Sequence, residues 1–158
     1  MCGRYALKTP ASELVTRFEL DEVVDVAPRY NISPGTDIPT IRYSPEGKRV
    51  MHLLRWGLVP HWAKDPSIGH KLINARGETV AEKSAFRSCF ARHRCLIPAN
   101  GFYEWKTDGG HKVPDYLRLK DDEIFAVAGA SMLLSFLASL YPARRAASLT
   151  PVQAIRWE

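Results

Sequence analysis

The chain has 158 residues, 46% apolar and 25% charged, the profile of one soluble globular domain with room for a real hydrophobic core. A net charge of +5 at pH 7 favours polyanionic partners, nucleic acid first among them. Three cysteines (Cys2, Cys89 and Cys95) without CxxC spacing or a nearby histidine cluster exclude a disulfide framework and a zinc site, and no metal or other cofactor is expected.

Along the chain, Arg4, Lys8, Glu13 and Arg17 interrupt any signal-peptide pattern at the N-terminus. Residues 10–20, PASELVTRFEL, predict a short amphipathic helix, with Ser12 or Pro10 near its start and Leu14, Val15 and Phe18 at helical spacing. APRYNISPGTDIPTIRY reads as loop with a Pro34-Gly35 turn, and Pro39 stands before a strand TIRY. A strand is predicted at 49–55 with a turn at Gly57. The next stretch begins as loop and ends as an amphipathic helix near Thr79–Phe90, carried by Val80, Ala85, Phe86 and Phe90. RCLIPANGFYEWK predicts a strand, a turn over Pro98–Gly101 and a second strand; VPDYLRL and IFAVAGA predict two more. The stretch Ile124–Tyr141 is apolar-leaning but too polar and short for a membrane span, because Gly129, Ser131, Ser135 and Ser139 break it. Composition changes abruptly near Ala130, and from Ser131 no acidic residue occurs until Glu158. The sum is an α+β fold of mostly antiparallel strands and a few short helices, in a cytoplasmic protein with no membrane partner.

Four features can carry chemistry. If Met1 is removed, Cys2 presents an amine and a thiol on one residue, both partly nucleophilic near neutral pH. Their matched electrophile is an aldehyde: the amine forms an imine and the thiolate closes on its carbon, an intramolecular step with a large effective concentration. An accidental cysteine is the alternative. In GFYEW, strand alternation puts Glu104 on one face with Phe102 and leaves Tyr103 and Trp105 on the other, so Glu104 is either an acid/base group or a solvated strand residue. In INARGET, Asn74 can donate and accept, Arg76 can grip a phosphate, and Thr79 with Glu82 can cap the following helix; a plain helix entry accounts for Gly77 and Thr79 alone. Finally, Arg4, Arg76, Lys83, Arg87, Arg92, Arg94 and Lys106 interleave with segments holding Trp56, Trp62, Tyr103 and Trp105. That suits single-stranded nucleic acid unless the tryptophans are core.

Taken together, MCGRY, YNISPGT, RWGLVPHWAKD, HKLINARGETVAEKSAFR, RCLIPANGFYEWK and FAVAGA resemble, in order and spacing, the SOS response-associated peptidase (SRAP) family, also called abasic-site processing proteins. The resemblance implies a single α+β domain with a β-rich, barrel-like core over residues 1–130, with residues 131–158 a divergent tail. It further implies loss of Met1 and a thiazolidine crosslink between Cys2 and an abasic site in single-stranded DNA. Asn74 would position the amine or the sugar, and Glu104 would serve as the acid/base that opens the sugar ring. Arg4, Arg76 and Arg87 would contact phosphates, while Trp62 and Trp105, with Pro39 nearby, would shape the DNA groove. A monomer is expected, nucleoid-associated if bacterial. The family's histidine followed shortly by Arg-Met-Pro has no counterpart, since the last histidine is His111; a truncated or frameshifted C-terminus is the expectation. Two alternatives stand beside this reading: a Cys2-dependent thiol peptidase or self-processing hydrolase, and an inactive remnant that binds single-stranded DNA.

Overall fold

The structure, a computed structural model, describes residues 3–120 and 123–130. The chain opens on β1 (Arg4–Leu7), whose last three residues are buried. Helix α1 (Ala11–Phe18) follows within the predicted span, and its Leu14 and Phe18, one turn apart, enter the core. Pro10 precedes it with a preset φ, and Glu19 ends it in the left-handed region at φ 50°. Arg49 stabilises that end: its Nη1 donates to the Phe18 carbonyl at 2.8 Å and to the Glu19 carboxylate at 2.7 Å.

Strand β2 (Arg29–Ile32) lies where the sequence reads as loop. Like β1 it has four residues, too few for alternation to stand out, and tertiary pairing defines both. Strands β3 (Asp37–Tyr43) and β4 (Arg49–Arg55) form a hairpin in unbroken register from Asp37↔Arg55 to Tyr43↔Arg49, close to the predicted spans. A 3-10 helix covers Pro66–His70. Consecutive turns occupy 77–86, and α2 spans only Arg87–Arg92, so the predicted helix from Thr79 is corrected to this short piece. Thr79 does not cap it: its hydroxyl is buried without a hydrogen-bond partner among the described residues.

Strands β5 (Arg94–Ala99), β6 (Gly101–Asp108), β7 (His111–Arg118) and β8 (Phe125–Ala130) complete two four-stranded sheets, ordered β2-β1-β6-β7 and β4-β3-β5-β8. All strand pairs are antiparallel. The α+β class is as predicted; among the described residues the sheets stay separate and do not close into a barrel. The predicted four-residue turn at Pro98–Gly101 is a crossing instead: Asn100 alone separates β5 from β6, and the two strands belong to different sheets. Asn100 is 2% exposed. Its Oδ1 accepts from the Lys8 and Thr9 backbone amides at 2.8 and 3.2 Å, its Nδ2 and the Thr9 hydroxyl are within hydrogen-bond distance at 2.9 Å, and its backbone amide donates to the Ala6 carbonyl at 2.9 Å. A buried polar side chain is therefore satisfied where the chain changes sheets.

The main core gathers Tyr5, Leu7 and Ile32 from one sheet, Ile38, Ile41, Met51, Leu96 and Ile97 from the other, and Leu14 and Phe18 from α1. A smaller cluster of Ala75, Val80 and Phe86, backed by Leu58, Leu72 and Phe90, underlies the long segment between β4 and β5. No helix of the described residues is long and apolar enough to cross a membrane. The tail 131–158 lies outside the described residues.

Candidate functional site

The candidate site is built around the start of β1. Cys2 itself lies outside the described residues. Two residues later Arg4 pairs with Tyr103 of β6, followed by Tyr5↔Phe102 and Ala6↔Gly101. The first strand residue, Arg4, thus lies beside Tyr103, the neighbour of Glu104.

Glu104 is half-buried. Strand alternation puts it on the face of Phe102, which packs against the main core, as the sequence predicts. Directly opposite on β7 stands Asp115, so two carboxylates share one cross-strand position. Lys106, two residues on from Glu104, donates to Asp115 at 3.4 Å and offsets that negative charge. The other face carries Arg4, Tyr103 and Trp105 by register. There Tyr103 and Tyr116 meet at 4.9 Å between ring centroids, and the Tyr103 hydroxyl donates to the Tyr30 carbonyl at 2.9 Å. The Tyr116 side chain lies over Gly101, where an added Cβ would sit 2.4 Å from its Cζ. Arg4 donates to the Asn31 Oδ1 at 2.9 Å, which orients its guanidinium.

Asn74 is half-buried and follows the 3-10 helix Pro66–His70. Asp65 caps that helix by accepting from the Ser67 amide at 2.9 Å. Hydrogen bonds from Ser67 hold the Asp65 carboxyl below the usual carboxylate range. The segment then runs back against the end of β4 through three ties. Gly57, at φ 142°, lets its backbone meet Gly69, where a Cβ would come within 2.7 Å of the Gly69 carbonyl oxygen. The Leu58 amide donates to the Leu72 carbonyl at 3.0 Å, and the Trp56 indole Nε1–H donates to the Ile73 carbonyl at 2.8 Å.

Among the other predicted residues, Arg76 and Arg87 are exposed, Trp62 is 50% exposed and Trp105 41%. One expectation is corrected, for Pro39, and one open alternative is resolved, for Trp56. Pro39 is fully buried within β3, so it has no surface to lend to a groove. Trp56 is core, not a stacking platform: it is 3% exposed and tilts against Tyr5 at 5.8 Å between centroids. Burial lifts the Tyr5 phenol far above its ordinary value, against a smaller lowering by the Arg29 charge, and its hydroxyl has no hydrogen-bond partner among the described residues. The sequence singles out neither Asn31 nor Asn100. PANG reads as a generic turn, and only the distant Thr9 shows that the Asn100 side chain faces inward. Among the described residues, no group of three or more His, Cys, Asp or Glu side chains is placed to hold a metal ion.

The family profile described as SOS response associated peptidase (SRAP) matches residues 1–138, past the expected boundary at 130. Abasic site processing protein YoaM of Bacillus subtilis is 43% identical over 133 residues, covering 82% of this chain and 58% of YoaM. Abasic site processing protein YedK of Escherichia coli is 34% identical over 137 residues, covering 81% of this chain and 59% of YedK. Of solved structures, a protein from Bacteroides thetaiotaomicron aligns at a TM-score of 0.70 and 27% identity, over 80% of this chain and 58% of that one. A phage-related protein from Bordetella bronchiseptica aligns at 0.65 and 31% identity, over 80% and 59%. The chain thus spans a little under three fifths of the two curated relatives, by the 58% and 59% coverage.

Proposed function

The chain belongs to the SOS response associated peptidase (SRAP) family, and from that membership we propose that it recognises abasic sites in single-stranded DNA and captures them covalently through Cys2. The observation that carries this reading is the 43% identity to a relative named for abasic site processing. The Cys2, Asn74 and Glu104 motifs, and a β1–β6 register that places Arg4 beside Tyr103, the neighbour of Glu104, support it.

The chemistry follows from the residues. An abasic deoxyribose is mainly a closed hemiacetal. Glu104 takes the proton from the anomeric hydroxyl and returns one to the ring oxygen, which opens the sugar to its aldehyde. Once Met1 is gone, the Cys2 amine attacks that aldehyde and one water leaves, giving an imine. The Cys2 thiolate then adds to the imine carbon while the nitrogen takes up a proton, which closes a five-membered thiazolidine. The sugar loses its bond between the anomeric carbon and the ring oxygen, and then the aldehyde oxygen as water; the phosphodiester backbone stays intact. Asn74 positions the amine or the sugar through its amide. Arg4, Arg76 and Arg87 hold phosphates, and Trp62 and Trp105 offer stacking faces to bases. Arg4 and Glu104 lie on opposite faces of one sheet, so the proposed path of the DNA crosses the start of β1.

Incubation of the purified chain with a single-stranded oligonucleotide bearing one abasic site is expected to give a denaturation-resistant adduct that Cys2→Ala abolishes. An adduct that persists in Cys2→Ala overturns the proposed nucleophile. The word peptidase in the family's description favours a second reading, in which Cys2 or its neighbours release Met1. Retention of Met1 in a Glu104→Gln variant, seen by mass spectrometry, would support self-processing.

A further inference from the structure

We propose that Trp56 is a positioning residue for this reaction, one that sets Asn74 and the start of β1 relative to each other; the assignment rests on the capture reading above. Three sets of contacts meet at this residue. Its indole N–H donates to the Ile73 carbonyl at 2.8 Å, so the hydrogen bond ends on the peptide unit that continues into Asn74. Its ring lies against Tyr5, which sits next to Arg4 and pairs with Phe102 of β6. Its backbone is fixed to the open end of the β3–β4 hairpin: the Trp56 amide donates to the Thr36 carbonyl at 2.9 Å, and the Gly35 amide donates to the Trp56 carbonyl at 2.8 Å.

The result is one rigid aromatic joining β1, through Tyr5, to the Ile73 peptide that leads to Asn74 and to the open end of the β3–β4 hairpin. β6, which carries Glu104 beside Phe102, is reached through its pairing with β1. At 3% exposure Trp56 cannot itself touch DNA, so any effect it has on the chemistry passes through these neighbours. The Gly57–Gly69 and Leu58–Leu72 ties hold the earlier part of the segment. The indole bond falls at Ile73, nearer to Asn74 than either of them. Condensation of an amine with an aldehyde depends on sub-ångström approach, so a slack Ile73 peptide weakens the chemical step more than the binding step.

Trp56→Phe keeps a ring against Tyr5 and removes the N–H donor. Phe18→Leu, a core change in α1, controls for a general loss of stability. Each full chain is given saturating single-stranded DNA with one abasic site, and the adduct rate is followed. Affinity is measured separately on an oligonucleotide carrying a tetrahydrofuran analogue that cannot open. The Asn74 side-chain amide signals are followed by NMR and assigned through Asn74→Asp. Trp56→Phe is expected to melt cooperatively, bind the analogue as the wild type does, shift the Asn74 signals and crosslink about 10- to 100-fold more slowly. Phe18→Leu is expected to leave rate and signals in place. A wild-type rate in Trp56→Phe, or equal slowing in Phe18→Leu, overturns the assignment. Should Trp56→Phe fail to fold, the benzothiophene isostere at position 56, with sulfur in place of N–H, carries the same test. If the wild-type chain forms no adduct, the capture reading fails; the Asn74 signals then decide alone, and signals unmoved by the loss of the N–H overturn the positioning role.

Discussion

Tyr5 combines a packing role with a polar group that its surroundings leave unsatisfied. Its ring supports Trp56, while its hydroxyl is buried with no hydrogen-bond partner among the described residues. Burying a polar group unpaired costs about 1–3 kcal/mol. Tyr5→Phe keeps the ring and removes that cost, so urea melts at pH 7 should show stability unchanged or raised by about 1 kcal/mol. The same burial sets a pH dependence. The folded-state pKa of Tyr5 lies above its unfolded value near 10. Its contribution is therefore fully present below pH 10 and is lost as pH rises toward the folded-state value. Thermal melts at pH 9 and pH 11 should show a smaller alkaline loss in Tyr5→Phe than in the wild type.

At the scale of elements, legibility in the sequence tracks how local the cause is. Helix α1 and the strands TIRY and 49–55 are readable because helical spacing and short runs of β-prone residues are written in contiguous sequence, whereas the pairing of those two strands into a hairpin is not. β1, β2 and the Asn100 crossing were not, because each is fixed by partners far away in the chain. The helix predicted from Thr79 failed for a related reason: Val80 and Phe86 do face a core, but a small one served by successive turns. The candidate site divides the same way. Glu104's face follows from alternation, whereas the burial of Pro39 and Trp56 depends on how the hairpin packs. Gly57 was readable as a turn, yet its close approach to Gly69 was not. Gly57→Ala puts a Cβ within 2.7 Å of a carbonyl oxygen at φ 142°. The expected cost is about 2–3 kcal/mol in a denaturant melt, with the adduct rate falling as the segment before Asn74 loosens.

For the whole molecule, the +5 charge and the exposed Arg76 and Arg87 make the proposed DNA contact an ionic-strength-dependent event. Each phosphate contact on a single strand contributes about −0.7 to the slope of log affinity against log salt. Arg87→Ala should make that slope shallower by about 0.7 in fluorescence-anisotropy titrations, across DNA sequences alike. An unchanged slope would remove Arg87 from the binding surface. The crossing at Asn100 has a further consequence, for the order in which the molecule assembles. Asn100 closes onto Thr9 across 91 positions of chain. The β3–β4 hairpin needs only its own residues and can form early, while β1 has no partner in β6 until that much chain has followed it. As the chain emerges from a ribosome, β1 therefore finds its place beside β6 late, after the β3–β4 hairpin has had time to form, so the sheet that holds Glu104 gains its β1–β6 pairing only after the other sheet has begun.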